Sequence, residues 1–150
     1  MTPETAFSYA NLLVLPQWIF MIVAPRWRVT QMLAAMLPIP MILGGMYIYY
    51  LFVAPVLLGG PAVDLASFGS LAGVQELFKG PKEIVLGAWI HYLAFDLVAG
   101  SYVLRDGQTR GIAHAWLIPC LFLCFMLGPI GLLLYGLIRL FLSNQSETKF

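Results

Sequence analysis

A chain of 150 residues that is 61% hydrophobic and 10% charged has well under half the charge of a soluble globular domain, where about a quarter of residues are charged. With a net charge of +1 and no basic stripe it gives nucleic acid no electrostatic footprint, so no nucleic-acid partner is expected. The mean hydropathy of +0.86 instead predicts an all-α polytopic membrane protein, a single transmembrane domain over 1–150 with membrane lipid as its immediate partner.

The chain enters apolar sequence almost at once, without a basic leader or an Arg- and Ser-rich transit segment. Nothing in it suggests cleavage, which fits a multi-pass protein of a prokaryotic inner membrane or a thylakoid-type membrane. The first helix is expected over about 7–23, interrupted by Asn11, Pro16, Gln17 and Trp18. Pro16 removes one backbone donor and frees the Leu12 carbonyl, which within a bilayer needs a partner. Asn11 and Gln17 therefore face the interior, where interhelical hydrogen bonding is worth about 1 kcal/mol. Gln17 is also a candidate substrate contact.

A second helix, about 29–57, holds Pro38 and Pro40 early and the tyrosines Tyr47, Tyr49 and Tyr50 late. Tyrosine clusters mark membrane–water boundaries, although an aromatic wall also suits a flat polyene. Residues 59–82 are too polar to span and too long for a tight turn. Asp64 can cap a short helix there, and Gly80-Pro81 ends it, giving an interfacial or partly re-entrant segment that lids a site or simply connects.

The third helix, 83–104, carries His91 and Asp96 on either side of its middle. An unpaired carboxylate at that depth costs roughly 2.5–3.5 kcal/mol, so such residues usually mark function; a buried Asp–His pair locking helices is the plainer alternative. Helical geometry puts the two about 140° apart around the axis and ~7.5 Å apart along it. Asp96 shares a face with Trp89, Tyr92 and Gly100, and His91 with Phe95 and Val98, so both are shielded only if this helix is central. A polar hairpin from Arg105 to Arg110, with an Asp-Gly turn signal, leads to a fourth helix over 111–142. The expected architecture is four transmembrane helices with the interfacial helix between the second and third.

That hairpin places Asp96 level with Pro119 and Cys120, and His91 level with Cys124. His114 then lies ~7.5 Å nearer the hairpin than Asp96. Arg26, Arg28, Arg105 and Arg110 at one end balance Lys79, Lys82, Arg139 and Lys149 at the other. The weight of short loops assigns the arginine hairpins to the cytoplasm. Cys120 and Cys124, one turn apart in an apolar run, are read as reduced.

His91, Asp96, His114, Cys120 and Cys124 are all metal-ligand types, but their spacing matches no ligand signature and no His-x-x-x-His occurs. Acid–base chemistry without metal or cofactor is the stronger reading: neutral Asp96 gives a proton and neutral His91 takes one, both lining one cavity. His114 is the alternative group at the ligand's end. Trp89, Tyr92, Gln17, Cys120 and Cys124 are the candidate substrate contacts.

Trp89-Ile90-His91 followed by Asp96-Leu97, Ala24-Pro25 after the first helix, and the run from His114 through Cys120 to Gly128-Pro129-Ile130-Gly131 resemble the small membrane proteins related to plant neoxanthin synthase. The family was named for abscisic acid deficiency. The resemblance covers nearly the whole chain and implies a carotenoid or similar isoprenoid substrate. It implies an isomerisation opening an epoxide into an allene and a tertiary alcohol, with one proton removed from the polyene and one given to the oxygen. A non-catalytic isoprenoid-binding or assembly-assisting protein and a small proton-coupled carrier are the competing classes.

Overall fold

The computed structural model describes residues 2–143, and these fold into helices joined by short irregular connections, with no strand among the described residues. Helix α1 spans Pro3–Val23, with Thr2 as its cap: the Thr2 hydroxyl accepts from the Thr5 amide at 3.3 Å, and Pro3 fills the first-turn position where no donor is needed. Arg28–Leu58 forms one long path of α2 (Arg28–Met36), α3 (Pro38–Ile48), a π turn over Tyr49–Val53, and α4 (Ala54–Leu58). Pro38 disfavours a right-handed helical conformation in the residue before it, and Leu37 adopts φ 53°, breaking α2 from α3. The π turn lies where Pro55, lacking an N–H, cannot bond back to Leu51.

Asp64 caps a 3-10 turn over Leu65–Gly69, and Ser70 caps α5 (Leu71–Lys79), so the connecting segment holds two short helical pieces. Helix α6 covers Lys82–Thr109, and α7 (His114–Leu127) and α8 (Pro129–Ser143) follow. Helix α6 packs against α1, α2, α3, α5, α7 and α8 and is the central helix.

Side-chain pairs give the directions. Glu4 meets Lys82, Asn11 meets Trp89 and Gln17 meets Ser101, so α1 runs parallel to α6. Gln31 meets Gln108, Tyr47 meets His91 and Leu51 lies over Gly87, so the second path runs antiparallel. Gly107 faces Leu117 and Asp96 faces Gly128, pairs symmetric about Ile112, so α7 is antiparallel to α6 as well.

The last stretch departs from expectation. A Cβ at Gly131 would run into the Cys124 amide nitrogen and the Cys120 carbonyl, and the Tyr135 hydroxyl donates to Asp106 at 2.5 Å. Both contacts require α8 to fold back along α7 toward the arginine end. Thus 111–142 is not one spanning helix but a hairpin of two helices, 14 and 15 residues long, turning at Gly128 (φ 27°) and Pro129. Among the described residues three helices, Pro3–Val23, Arg28–Leu58 and Lys82–Thr109, are long and apolar enough to cross a membrane, rather than the expected four.

The turn before α7 also shifts. Arg105–Thr109 continues α6, held by the Arg110–Asp106 ion pair at 2.8 Å and by the Thr109 hydroxyl donating to the Arg105 carbonyl at 2.9 Å. Gly107 is a contact glycine under Leu117, and the chain reverses at Gly111, φ 69°. With α8 folded back, Arg139 joins Arg26, Arg28, Arg105 and Arg110 at one end, where it lies 3.6 Å from Asp106. Lys79 and Lys82 remain at the other end, and Lys149 lies outside the described residues, so the expected charge balance does not hold.

Candidate functional site

Along α6, Lys82, Val85, Trp89, Tyr92, Leu93 and Asp96 recur every three or four residues and form one face. That face opens against α1 into two cavities, of 640 Å³ beside Glu4 and Lys82 and of 510 Å³ beside Asp96, which share Trp89 and Tyr92. Together they make a groove about 21 Å long from Lys82 to Asp96. Its mouth carries the exposed Lys82–Glu4 ion pair at 2.5 Å. Asn11 orients its middle: the amide nitrogen donates to the Phe7 carbonyl at 2.7 Å, leaving the oxygen to accept from the Trp89 indole at 3.3 Å. Phe7 packs on the Trp89 ring with centroids 5.7 Å apart.

The inner end is the apex of the α7–α8 hairpin, with Phe125, Met126, Leu127, Gly128 and Pro129 around Asp96. Asp96 is half-buried and makes no hydrogen bond or ion pair with any described residue. Its Oδ1 lies against the Gly128 α-carbon, where no Cβ could fit. A helix C-terminus and a helix N-terminus meet at this apex, each leaving backbone groups without intrahelical partners. A lone carboxyl group beside such an apex can bind or exchange a proton with whatever enters the groove.

His91 is elsewhere. It lines a separate chamber of 210 Å³ under the 59–82 segment, its ring stacked on Phe95 at 4.6 Å and tilted against Tyr47 at 5.7 Å. The expectation that His91 and Asp96 share one cavity is therefore not met. The two point to opposite sides of α6, and different covers close them: the connecting segment over His91, the hairpin apex over Asp96. Tyr92 borders both spaces.

The hairpin also resets the depths. Asp96 is level with Gly128, not with Pro119 and Cys120, and Cys124 is level with Gly100 rather than His91. His114, at the α7 start, lies about 21 Å along the bundle from Asp96 rather than ~7.5 Å. There its Nε2 sits 2.9 Å from the Ile22 carbonyl. Gln17 is fully buried, its amide nitrogen donating to the Ser101 hydroxyl at 3.0 Å, and lines none of these cavities. Cys120 and Cys124 are fully buried against α8 and also stand apart from the groove. Of the predicted substrate contacts, Trp89 and Tyr92 line it. Among the described residues no three His, Cys, Asp or Glu side chains group closely enough to hold a metal ion.

Phe7, Phe125 and Met126 were not singled out as site residues, because on an apolar helix nothing local distinguishes a groove wall from a lipid-facing position. The Gly128-Pro129 break was the available signal for the apex.

The architecture defines a small all-helical protein with three helices apt for a bilayer and a lateral apolar groove closing on one carboxyl group. The chain belongs to the ABA DEFICIENT 4-like family, whose model matches residues 5–135. It is similar to Protein ABA DEFICIENT 4, chloroplastic, of Arabidopsis thaliana, with 27% identity over 144 residues that cover 95% of this chain. The chain spans 64% of the length of that relative. No solved structure matches it.

Proposed function

We propose that this chain is a multi-pass membrane protein, of a prokaryotic inner or thylakoid-type membrane, that takes a carotenoid-class isoprenoid into the α1–α6 groove. There it acts as an isomerase of neoxanthin-synthase type. The observation that carries this reading is the groove itself: a long apolar wall bearing Trp89 and Tyr92 that ends on an unpaired carboxyl group. The family supports the substrate class.

Opening an epoxide to an allene consumes one proton and releases one, with no net redox change. As the carbon–oxygen bond of the epoxide breaks, the Asp96 carboxylic acid gives its proton to the oxygen, which becomes the tertiary alcohol. The carboxylate formed then takes a proton from the polyene carbon as the second cumulated double bond forms, and the catalyst returns to its starting state. A single carboxyl group suffices, so His91, across Tyr92 in its own chamber, and His114, about 21 Å away along the bundle, are not assigned a step. A carotenoid is about as long as the ~30 Å hydrocarbon core, whereas the groove is ~21 Å, so the substrate lies tilted with its reacting ring at mid-depth and its far end toward the Glu4 mouth.

Purified protein in lipid nanodiscs, incubated with an epoxy-carotenoid and followed by chromatography, tests this. Wild type and His114→Gln form the allenic product and Asp96→Asn does not. Full activity in Asp96→Asn would remove Asp96 from the chemistry. Pigment recovered unchanged from wild type would support the non-catalytic binding class, which the scarcity of polar groups in the groove favours.

A further inference from the structure

The chamber that holds His91 is closed on one side by the connecting segment, through Phe68, Leu77 and Phe78, and on the other by Tyr47, Tyr92 and the imidazole. Its 210 Å³ is below the roughly 300–1,000 Å³ of a pocket for a complete drug-sized ligand, so it takes one ring and not a whole polyene. The His91 ring stacks on Phe95 and is exposed at the open side of the chamber, where it makes no hydrogen bond with any described residue. Neutral imidazole has one donor and one acceptor, and with neither taken by a described residue both are accessible to a ligand entering the chamber. A hydroxyl group, donor and acceptor in one atom, satisfies either nitrogen, with the phenols of Tyr47 and Tyr92 beside it.

We propose that this chamber is a second binding site, separate from the groove, for the hydroxyl-bearing ring at the end of an isoprenoid, with His91 reading the hydroxyl and the 59–82 segment serving as its cover. The ligand class rests on the carotenoid reading of the groove, whereas the chamber's preference for a hydroxylated ring rests on its own geometry. The site gives the connecting segment a role that its amphipathic sequence alone does not explain.

Calorimetric titration of the protein in nanodiscs with 3-hydroxy-β-ionone and with β-ionone tests the assignment. Wild type binds the hydroxylated ring about tenfold more tightly, the worth of one good hydrogen bond. His91→Phe keeps the stack on Phe95, binds β-ionone as before and loses the discrimination. Ala88→Leu, which fills the chamber from α6, weakens both rings. Asp96→Asn changes neither. Equal affinity of wild type for the two rings, or discrimination that survives His91→Phe, would overturn the proposal, as would discrimination lost in Asp96→Asn. If His91→Phe does not assemble, Ala88→Leu decides: undiminished binding of the hydroxylated ring sinks the site. Failure of the isomerase assay with ring discrimination intact would remove the proposed activity and leave this site standing.

Discussion

Oδ1 of Asp96 lies against the α-carbon of Gly128, so that the carboxyl group at the inner end of the groove and the turn of the α7–α8 hairpin occupy the same point at mid-height. Adding a methyl group there forces the carboxyl group out of place, and the positive φ of Gly128 adds strain. Gly128→Ala is expected to cut the proposed isomerisation at least about tenfold, as small misplacements of a reacting group do. Its destabilisation should shrink when Asp96→Ala is added, because the two side chains then no longer compete for space. Thermal unfolding of the single and double variants measures this; strict additivity would show that the two sites do not touch in the folded protein.

Topology is the second test. Reporter domains inserted after residues 27 and 108 and fused after residue 143 should all report one side of the membrane, and one at residue 70 the other. A single helix over 111–142 would instead group residue 143 with residue 70. Arg26, Arg28, Arg105, Arg110 and Arg139 gather at the first of these sides, against Lys79 and Lys82 at the second, so the first is expected to be cytoplasmic.

Tyr135 is fully buried on α8, and its hydroxyl donates to Asp106, which also holds Arg110. This fastens the middle of α8 to α6. Tyr135→Phe removes the bond while keeping the ring, and should cost about 1–2 kcal/mol. A lowered unfolding temperature in detergent with the proposed ring discrimination at His91 unchanged is the expected pattern, since Asp106, where Tyr135 attaches, and His91 lie on different parts of α6. An unaltered unfolding temperature would mean the latch contributes nothing.

Glycines separate packing from mere permissiveness. A Cβ at Gly100 would strike the Trp18 ring, which is 4% exposed and has no room to turn, so Gly100→Ala should destabilise by about 1–3 kcal/mol. Gly44 and Gly45 have open space around them inside α3, and alanine there should stabilise by about 0.5–1 kcal/mol. Opposite signs in thermal unfolding are the expected result; a shared sign would contradict the packing of α1 on α6.

Much of the bundle was legible because its causes are local. Runs of apolar residues as long as a bilayer is thick announce spans wherever they occur, and Gly80-Pro81 announced the start of α6, whereas α1 begins at Pro3 rather than near residue 7 and α6 runs on to Thr109 rather than 104. The placement of Trp89, Tyr92 and Asp96 on one face of α6 and His91 on another follows from the helical period alone. Gln17 was read correctly as an interior group, because a carboxamide in an apolar run has few other uses.

What the chain alone determined, then, is composition and periodicity: an all-helical protein with bilayer-length apolar spans, a central helix carrying two ionisable residues on different faces, and the family to which it belongs. Tertiary structure decided which helices cover those faces. The Gly128-Pro129 break admits either a kinked continuous helix or a reversal, and only the fit of Gly131 against Cys120 and Cys124, with Tyr135 reaching Asp106, selects the reversal. That choice carries Arg139 to the arginine end, moves the level of Asp96 from Cys120 to Gly128, and closes the groove. It could not be read locally because helix–helix contact depends on which small residues meet across space, and an apolar helix surface looks the same in sequence whether it faces lipid, a groove or a neighbouring helix.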